Sequence, residues 1–230
     1  MSSRKLVIAI DGPAASGKST TARLVAERLG YLHVDTGAMY RAIALKVLRQ
    51  GIGMEERERI ESLMPTTHVA LKLSDGTPHV FLDGEDVTDA IRTPDVSKAV
   101  SPVSGYAEVR RAMVREQRLL GAEGGIVMDG RDIGTVVYPG ADLKFFMVAG
   151  IEARARRRQK ELAAKGTDQP LDAVLVDIQE RDARDAGRTE APLRRADDAI
   201  DVDTSAMTIE QQVRFVLDTV SKKLQESGAR

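Results

Sequence analysis

The sequence predicts an α/β fold: a five-stranded parallel sheet flanked by helices, with a small β-rich insert and a short helical lid. Three observations predict it. Short apolar runs of strand length alternate with segments of helical periodicity, the order expected of parallel strands joined by crossover helices. The first strand–helix junction is Gly12-Pro13-Ala14-Ala15-Ser16-Gly17-Lys18-Ser19, which fits the pattern G-x-x-x-x-G-K-[ST] without a departure. One stretch, residues 63–93, breaks the alternation with closely spaced β-type runs and turn residues.

The junction sits between the apolar run Leu6-Val7-Ile8-Ala9-Ile10 and the helical segment Thr20 to Leu29. Each residue type has its own reason. Gly12 and Gly17 allow backbone conformations that a side chain blocks. Successive N–H groups then converge as an anion nest at the positive end of the following helix. Lys18 adds a full charge at the β/γ-phosphates, and the Ser19 hydroxyl can reach a magnesium ion. A plain Gly-rich turn is the alternative, but pattern and context together imply a nucleoside-triphosphate site spanning Gly12 to Thr20. The fold class is then that of a P-loop NTPase.

The remaining elements follow in order. Tyr31-Leu32-His33-Val34 is a second strand, ending at Asp35-Thr36-Gly37-Ala38-Met39-Tyr40-Arg41. Met39, Ile43 and Val47 recur at helical spacing, with Gly51 and Gly53 as stops. Arg41 is expected in the first turn of that helix, where a cation opposes the helix dipole; a solvated surface Arg is the alternative. Val69-Ala70-Leu71-Lys72-Leu73 and His79-Val80-Phe81-Leu82 flank Ser74-Asp75-Gly76-Thr77-Pro78, which predicts a β-hairpin, with a third short strand from Asp83 to Val87. The expected division is residues 1–62 and 94–230 as the core domain, with 63–93 as the insert.

Helical pattern resumes at Asp95, with a bend expected at Ser101-Pro102, and a further helix carries Val109, Met113 and Leu120 inward before Gly121. Ile126-Val127-Met128-Asp129 and Leu143 to Val148 are the third and fourth strands of the sheet. In an open parallel sheet the loops beyond strand carboxyl ends form the binding crevice, which sets Arg131 and Asp132 beside the phosphate loop. Residues 152–186 form a basic helical hairpin with little apolar surface on its first arm, expected to act as a mobile lid. Arg154, Arg157 and Arg158 share one face of it; Arg181, Asp185 and Arg188 share another. A solvated face with Arg181–Asp185 and Glu180–Arg184 pairs is the alternative. Ala199 to Val202 closes the sheet. Thr208-Ile209-Glu210-Gln211 has the form of a capping box before a last helix with Val213, Val216, Leu217, Val220 and Leu224 as its core stripe.

Composition narrows the classes. The chain has 230 residues, 42% hydrophobic and 30% charged, with a net charge of −1 and no Cys. Disulfides and thiolate metal sites are excluded, and no general attraction to nucleic acid or a membrane surface exists. No apolar run approaches membrane-spanning length and none resembles a secretion signal, so a cytoplasmic protein is expected. Arg41, Arg131 and Arg188 come from three separate segments yet all can reach the mouth beside Lys18, where a second phosphate near the γ-phosphate would need several cations. That points to a small P-loop phosphotransferase. A GTPase switch fails on one point: guanine readout by an Asn-Lys-x-Asp loop is impossible in a chain without Asn.

Ile10 to Ser19, Asp35 to Arg41, Asp129 to Val137 and Glu180 to Arg188, followed by Ala191-Pro192-Leu193 and Asp203-Thr204-Ser205, together resemble bacterial cytidylate kinases over nearly the whole chain. The resemblance implies transfer of the ATP γ-phosphoryl to CMP or dCMP with Mg2+; separately, a monomer is expected. It implies acceptor-phosphate contacts at Arg41, Arg131 and Arg188, ribose contacts at Arg181 and Asp185, and cytosine contacts at Thr36, Ser101, Arg110 and Asp132. It implies that the lid arginines Arg154 and Arg158 donate charge to the transferring phosphoryl. A UMP/AMP-type monophosphate kinase and a regulatory P-loop NTPase are the alternatives.

Overall fold

The computed structural model describes residues 5–74, 77–164 and 166–228. The core is one parallel sheet of β1 (Val7–Asp11), β2 (Leu32–Asp35), β6 (Ile126–Gly130), β7 (Leu143–Val148) and β8 (Ile200–Asp203), in the order β2-β6-β1-β7-β8. All five strands anticipated from the apolar runs form, three of them one residue further along.

The central strands β6, β1 and β7 are buried on both faces, which is why they are apolar almost throughout, while the edge strands β2 and β8 carry polar, partly exposed residues. Ile8, Ile10, Val127 and Phe145 face α1 (Lys18–Leu29) and α8 (Ile209–Gly228), whose Val213, Val216 and Val220 are fully buried. Ala9, Val34 and Met128 face α2 (Thr36–Arg49), α4 (Pro94–Val103) and α5 (Ala107–Leu120). The capping box at the start of α8 is present: Gln211 N donates to Thr208 Oγ1 at 3.2 Å and Thr208 N donates to Gln211 Oε1 at 2.8 Å. Strand order reverses at β1, so the loops after β1 and β6 open into one crevice at a topological switch point.

The insert is an antiparallel sheet of β3 (Val69–Ser74), β4 (Thr77–Leu82) and β5 (Glu85–Asp86). Its Val69, Val80 and Leu82, with Val87 and Ile91, bury into the same cluster as α2. The turn expected at Asp75-Gly76 lies outside the described residues. Pro78 belongs to β4 rather than to the turn, which is tolerated because β5 pairs only Phe81 and Leu82 and leaves the Pro78 edge open.

Two local expectations are corrected. Arg41 lies in the second turn of α2, because the helix already starts at Thr36 behind an Asp35 N-cap. The helix is not interrupted at Ser101-Pro102; α4 runs to Val103 and the break falls at Ser104-Gly105. Pro102 sits in the last turn, where a missing N–H removes one bond only. The loop after Arg131-Asp132 winds into a five-residue π-helical turn, Ile133–Val137, and α3 (Arg57–Ser62) adds a helix that the patterning did not signal. The basic hairpin is α6 (Ile151–Ala164) and α7 (Leu171–Ala186), held together by a small cluster around Ala155, Val174 and Ile178.

Candidate active site

The phosphate loop is built as its sequence requires. Gly12 has φ +154°, and a Cβ there would lie 2.1 Å from the Met147 carbonyl oxygen. Gly17 has φ +94° and caps α1 with no side-chain partner, and the first turn of the helix holds no acid. The N–H groups at that end are therefore free for an anion. Ala15 also takes a positive φ, 57°, an arrangement that a non-glycine residue adopts at a cost and that recurs at ligand-binding loops. Ser16 is fully buried and its hydroxyl has no hydrogen-bond partner among the described residues.

Lys18 Nζ donates to the Pro13 carbonyl at 3.1 Å. Burial, with Arg131 close by, pushes the ammonium down to about 7. Ser19 Oγ donates to Asp129 Oδ2 at 2.5 Å, and the other oxygen of Asp129 meets His33 Nε2 at 2.8 Å. Asp129 ends β6 beside β1, so a hydroxyl and a carboxylate stand together at the triphosphate end of the loop. Both are hard oxygen donors, the set that suits a divalent ion carrying several waters and phosphate oxygens.

On the other side of the crevice Asp185 is 1% exposed and collects three partners. Arg131 Nε donates to its Oδ2 at 2.7 Å, Arg188 donates to its Oδ1 at 2.6 Å, and Ser101 Oγ donates to Oδ1 at 3.3 Å. Burial alone would raise this carboxyl; Arg131, Arg188 and Arg181 hold it below the ordinary value instead. Arg188 also donates to Ser104 Oγ at 2.9 Å. Arg41 donates to Asp35 Oδ2 at 2.9 Å while Asp35 Oδ1 accepts from Ala38 N, so the N-cap neutralises the cation near the positive helix end. The Nε of Arg41 and of Arg181 are buried without a hydrogen-bond partner among the described residues. Burial and then Arg131 push Arg181 down to about 10, with Arg41 and Arg158 adding to the repulsion. The Arg181–Asp185 ion pair considered from sequence does not form, because Arg131 and Arg188 occupy that carboxylate; the exposed Glu180–Arg184 pair does, at 3.7 Å.

Arg110 and Asp132 are buried and paired with each other, and Arg110 donates a second bond to Ser104 O at 3.2 Å. Thr36 donates to the Asp129 carbonyl at 2.8 Å from the first position of α2, and its side chain is buried.

The lid arginines divide. Arg154 is buried and donates to Ala149 O, Ala14 O and Asp182. Arg157 donates to Ser16 O and to Thr204. These two brace the phosphate loop from behind. Arg158, paired with Glu161 at 3.2 Å, is the lid cation whose charge acts on Arg181.

Sequence reasoning missed Asp11, Asp129, His33 and Thr204 as site residues. Asp11, the residue before Gly12, accepts from Ile133 N at 2.8 Å and Gly134 N at 2.7 Å, and burial pushes its carboxyl up to about 7. It thereby fastens the loop carrying Arg131 and Asp132 to the stem of the phosphate loop. A polar residue interrupting an apolar strand end is the only sequence signal for Asp11 and Asp129.

Lys18, Arg131, Arg181, Arg41 and Arg158 each weaken or are weakened by another member of the group, and one carboxylate, Asp185, serves two of the neighbouring arginines. Such a cluster of cations suits two phosphate-bearing ligands meeting in it. Phosphoryl transfer between them needs little beyond positioning and charge neutralisation. That defines a P-loop phosphotransferase. The sequence model of the cytidylate kinase family matches residues 8–222. Similar proteins named cytidylate kinase include those of Caldicellulosiruptor bescii (49% identical, covering 95% of this chain and 97% of that one) and Geobacter sulfurreducens (47%, covering 97% and 94%). That of Bacillus subtilis is 44% identical, covering 96% of this chain and 98% of its own. This chain belongs to the cytidylate kinase family and is a kinase. No helix among the described residues is long and apolar enough to cross a membrane.

Proposed function

We propose that the protein transfers the γ-phosphoryl of ATP to CMP or dCMP. The observation that carries this reading is the buried cation cluster opposite an open phosphate loop, with the Arg110–Asp132 pair beside it. In this reading the loop Gly12 to Thr20 takes the triphosphate, and Lys18 neutralises its β/γ end. Arg41, Arg131 and Arg188 grip the acceptor phosphate, and Arg181 and Asp185 meet the ribose. Thr36, Ser101, Arg110 and Asp132 line the base. Arg158 supplies lid charge to the transferring group, while Arg154 and Arg157 keep the loop carbonyls in place. The accompanying metal is Mg2+, which when bound would neutralise phosphate charge; Ser19 and Asp129 would hold it, with His33 orienting the carboxylate. The insert, residues 63–93, belongs to the acceptor side of the molecule.

Cytosine offers an N4 amino donor beside an N3 acceptor, and uracil inverts both. Asp132 accepts from the first and Arg110 donates to the second, so cytosine satisfies both charges. Two buried mismatches with uracil reduce kcat/KM by roughly 10³-fold. The test is a coupled assay over the nucleoside monophosphates, repeated with Asp132→Asn. An amide can donate to O4, so the CMP-over-UMP ratio should fall at least about tenfold with the UMP rate held or gained. Equal losses for both substrates would make the pair a brace and the base reading wrong. Preference for UMP or AMP in the unmodified enzyme would favour another monophosphate kinase.

Lys18 gives a second check. Free, it loses its proton above about pH 7. A triphosphate beside it favours the charged form and raises that value. Binding at about pH 8 therefore takes up a proton, and affinity falls as pH rises. Calorimetry in two buffers of different ionisation enthalpy measures the uptake. Zero proton linkage there would mean that Lys18 does not face the phosphates.

A further inference from the structure

Arg110 is a buried cation with a second contact that base recognition does not use. Its guanidinium carbon lies 5.3 Å from the centroid of the Tyr40 ring. Tyr40 is itself buried in α2, one residue before Arg41, so its backbone is fixed by the helix that also presents Arg41 and Thr36. Among the described residues the buried Tyr40 hydroxyl and both polar atoms of the Gln117 amide make no hydrogen bond of good geometry, although the amide stands near enough to act on the phenol. Gln117 lies two turns beyond Arg110 on α5. Burial pushes the phenol up to about 12, so the ring is neutral at any working pH.

A tyrosine kept here for its hydroxyl should have that hydroxyl bonded, since an unbonded buried polar atom is a net cost. What Tyr40 gives its neighbours is the face of its ring. A cation over a ring face is attracted by the quadrupole, and more strongly when both are removed from water. Arg110 needs such a hold. Its ion pair with Asp132 and its bond to Ser104 O fix two of its nitrogens, but an incoming base competes for both members of that pair. A planar fork that reads one edge of a pyrimidine must keep its plane while its partner turns to the ligand.

We propose that Tyr40 is a positioning residue for base choice: its ring holds the Arg110 guanidinium in the plane from which Arg110 and Asp132 meet the pyrimidine edge. This rests on the reading of that pair as the base contact. Asp132 and Arg110 touch the base; Tyr40 acts through Arg110.

The test uses Tyr40→Met, which keeps much of the buried volume and removes the ring face. CMP KM should rise about tenfold and the CMP-over-UMP ratio of kcat/KM should fall about tenfold, with ATP KM within about twofold of its starting value. Tyr40→Phe keeps the ring and should restore the ratio, with stability close to that of the unmodified protein. In an Arg110→Met background, Tyr40→Met should change the ratio no further. Equal losses for CMP and UMP, or the same drop in the Arg110→Met background, would overturn the proposal. If Tyr40→Met does not fold, phenylalanines of increasing ring fluorination at position 40 keep the shape and weaken the quadrupole. The ratio should then fall stepwise with fluorination, and a flat series overturns the proposal. Arg110→Met also separates the two readings. A ratio unchanged by Arg110→Met rejects the base contact itself; a ratio lost in Arg110→Met but kept in Tyr40→Met rejects only the part given to Tyr40.

Discussion

Replacing Lys18 with alanine should lower kcat by on the order of a hundredfold or more while the protein stays folded. The expected loss and the expected stability have separate causes. Lys18 is the single full charge built into the phosphate loop; the other groups there are backbone N–H dipoles and hydroxyls. Charge that develops on the transferring phosphoryl is therefore left to the arginines across the crevice, which the loop cannot replace. The fold, in contrast, does not need the ammonium. Burial pushes Lys18 from an ordinary value of 10.5 down to about 7, so the charged form is disfavoured in the folded chain. Between those values the unfolded chain binds the extra proton, and stability rises with pH across that window. The cost of burying the charge is full below about pH 7 and fades above it. Lys18→Ala should accordingly melt no lower than the unmodified protein near neutrality when both are free of nucleotide. Steady-state turnover and thermal unfolding of the two proteins check both expectations. Near-normal kcat in the variant would remove the phosphate loop from the chemistry.

Much of this architecture was legible because it is written in local pattern. The three central strands are apolar runs buried on both faces, and α8 announced itself through Thr208–Gln211 and its stripe of valines. The phosphate loop was legible because Gly12 and Gly17 sit where φ is positive and a Cβ has no room. The positive φ of Ala15 carried no signal, since alanine is ordinary anywhere else. Strand order was not legible, and with it went every contact that depends on which strands are neighbours. Asp129 meets Ser19 only because β6 lies beside β1, and His33 meets Asp129 only because β2 lies beside β6. The arginines were legible as a set, from spacing and from family resemblance. Their partners were not. An i, i+4 rule pairs Arg181 with Asp185, yet Arg131 from a different element reaches that carboxylate first and leaves Arg181 without one. The π-helical turn at Ile133–Val137 likewise depends on Asp11, more than a hundred residues earlier in the chain, offering its carboxylate to two amides.

Asp185→Ala should lower kcat/KM for CMP by roughly 10³-fold and make folding stability depend on a supplied anion. Asp185 is 1% exposed, and Arg131 and Arg188 both donate to it. Removing one member of a buried ion pair leaves its partners uncompensated, at about 3–5 kcal/mol. Arg181 adds to the repulsion, because its Nε already lacks a hydrogen-bond partner among the described residues. The arginines then have no fixed point, and displacement of a positioning group by about 1 Å can cost a hundredfold in rate. The cluster in the variant is still the one that takes phosphate, so inorganic phosphate or CMP should supply the missing charge. Thermal unfolding with and without phosphate should therefore give a larger gain for Asp185→Ala than for the unmodified protein. The acid side supports the same account. Asp185 is held below its ordinary value of 3.8, so its contribution is present above that pH and lost only as pH falls further. Asp185→Ala should consequently lose less stability than the unmodified protein when pH drops through that range. Asp185→Asn, which keeps an acceptor oxygen without the charge, should fall between the two in rate and in response to phosphate. Equal phosphate-induced shifts in all three proteins, with CMP turnover near normal, would mean that the carboxylate neither neutralises nor positions the arginines.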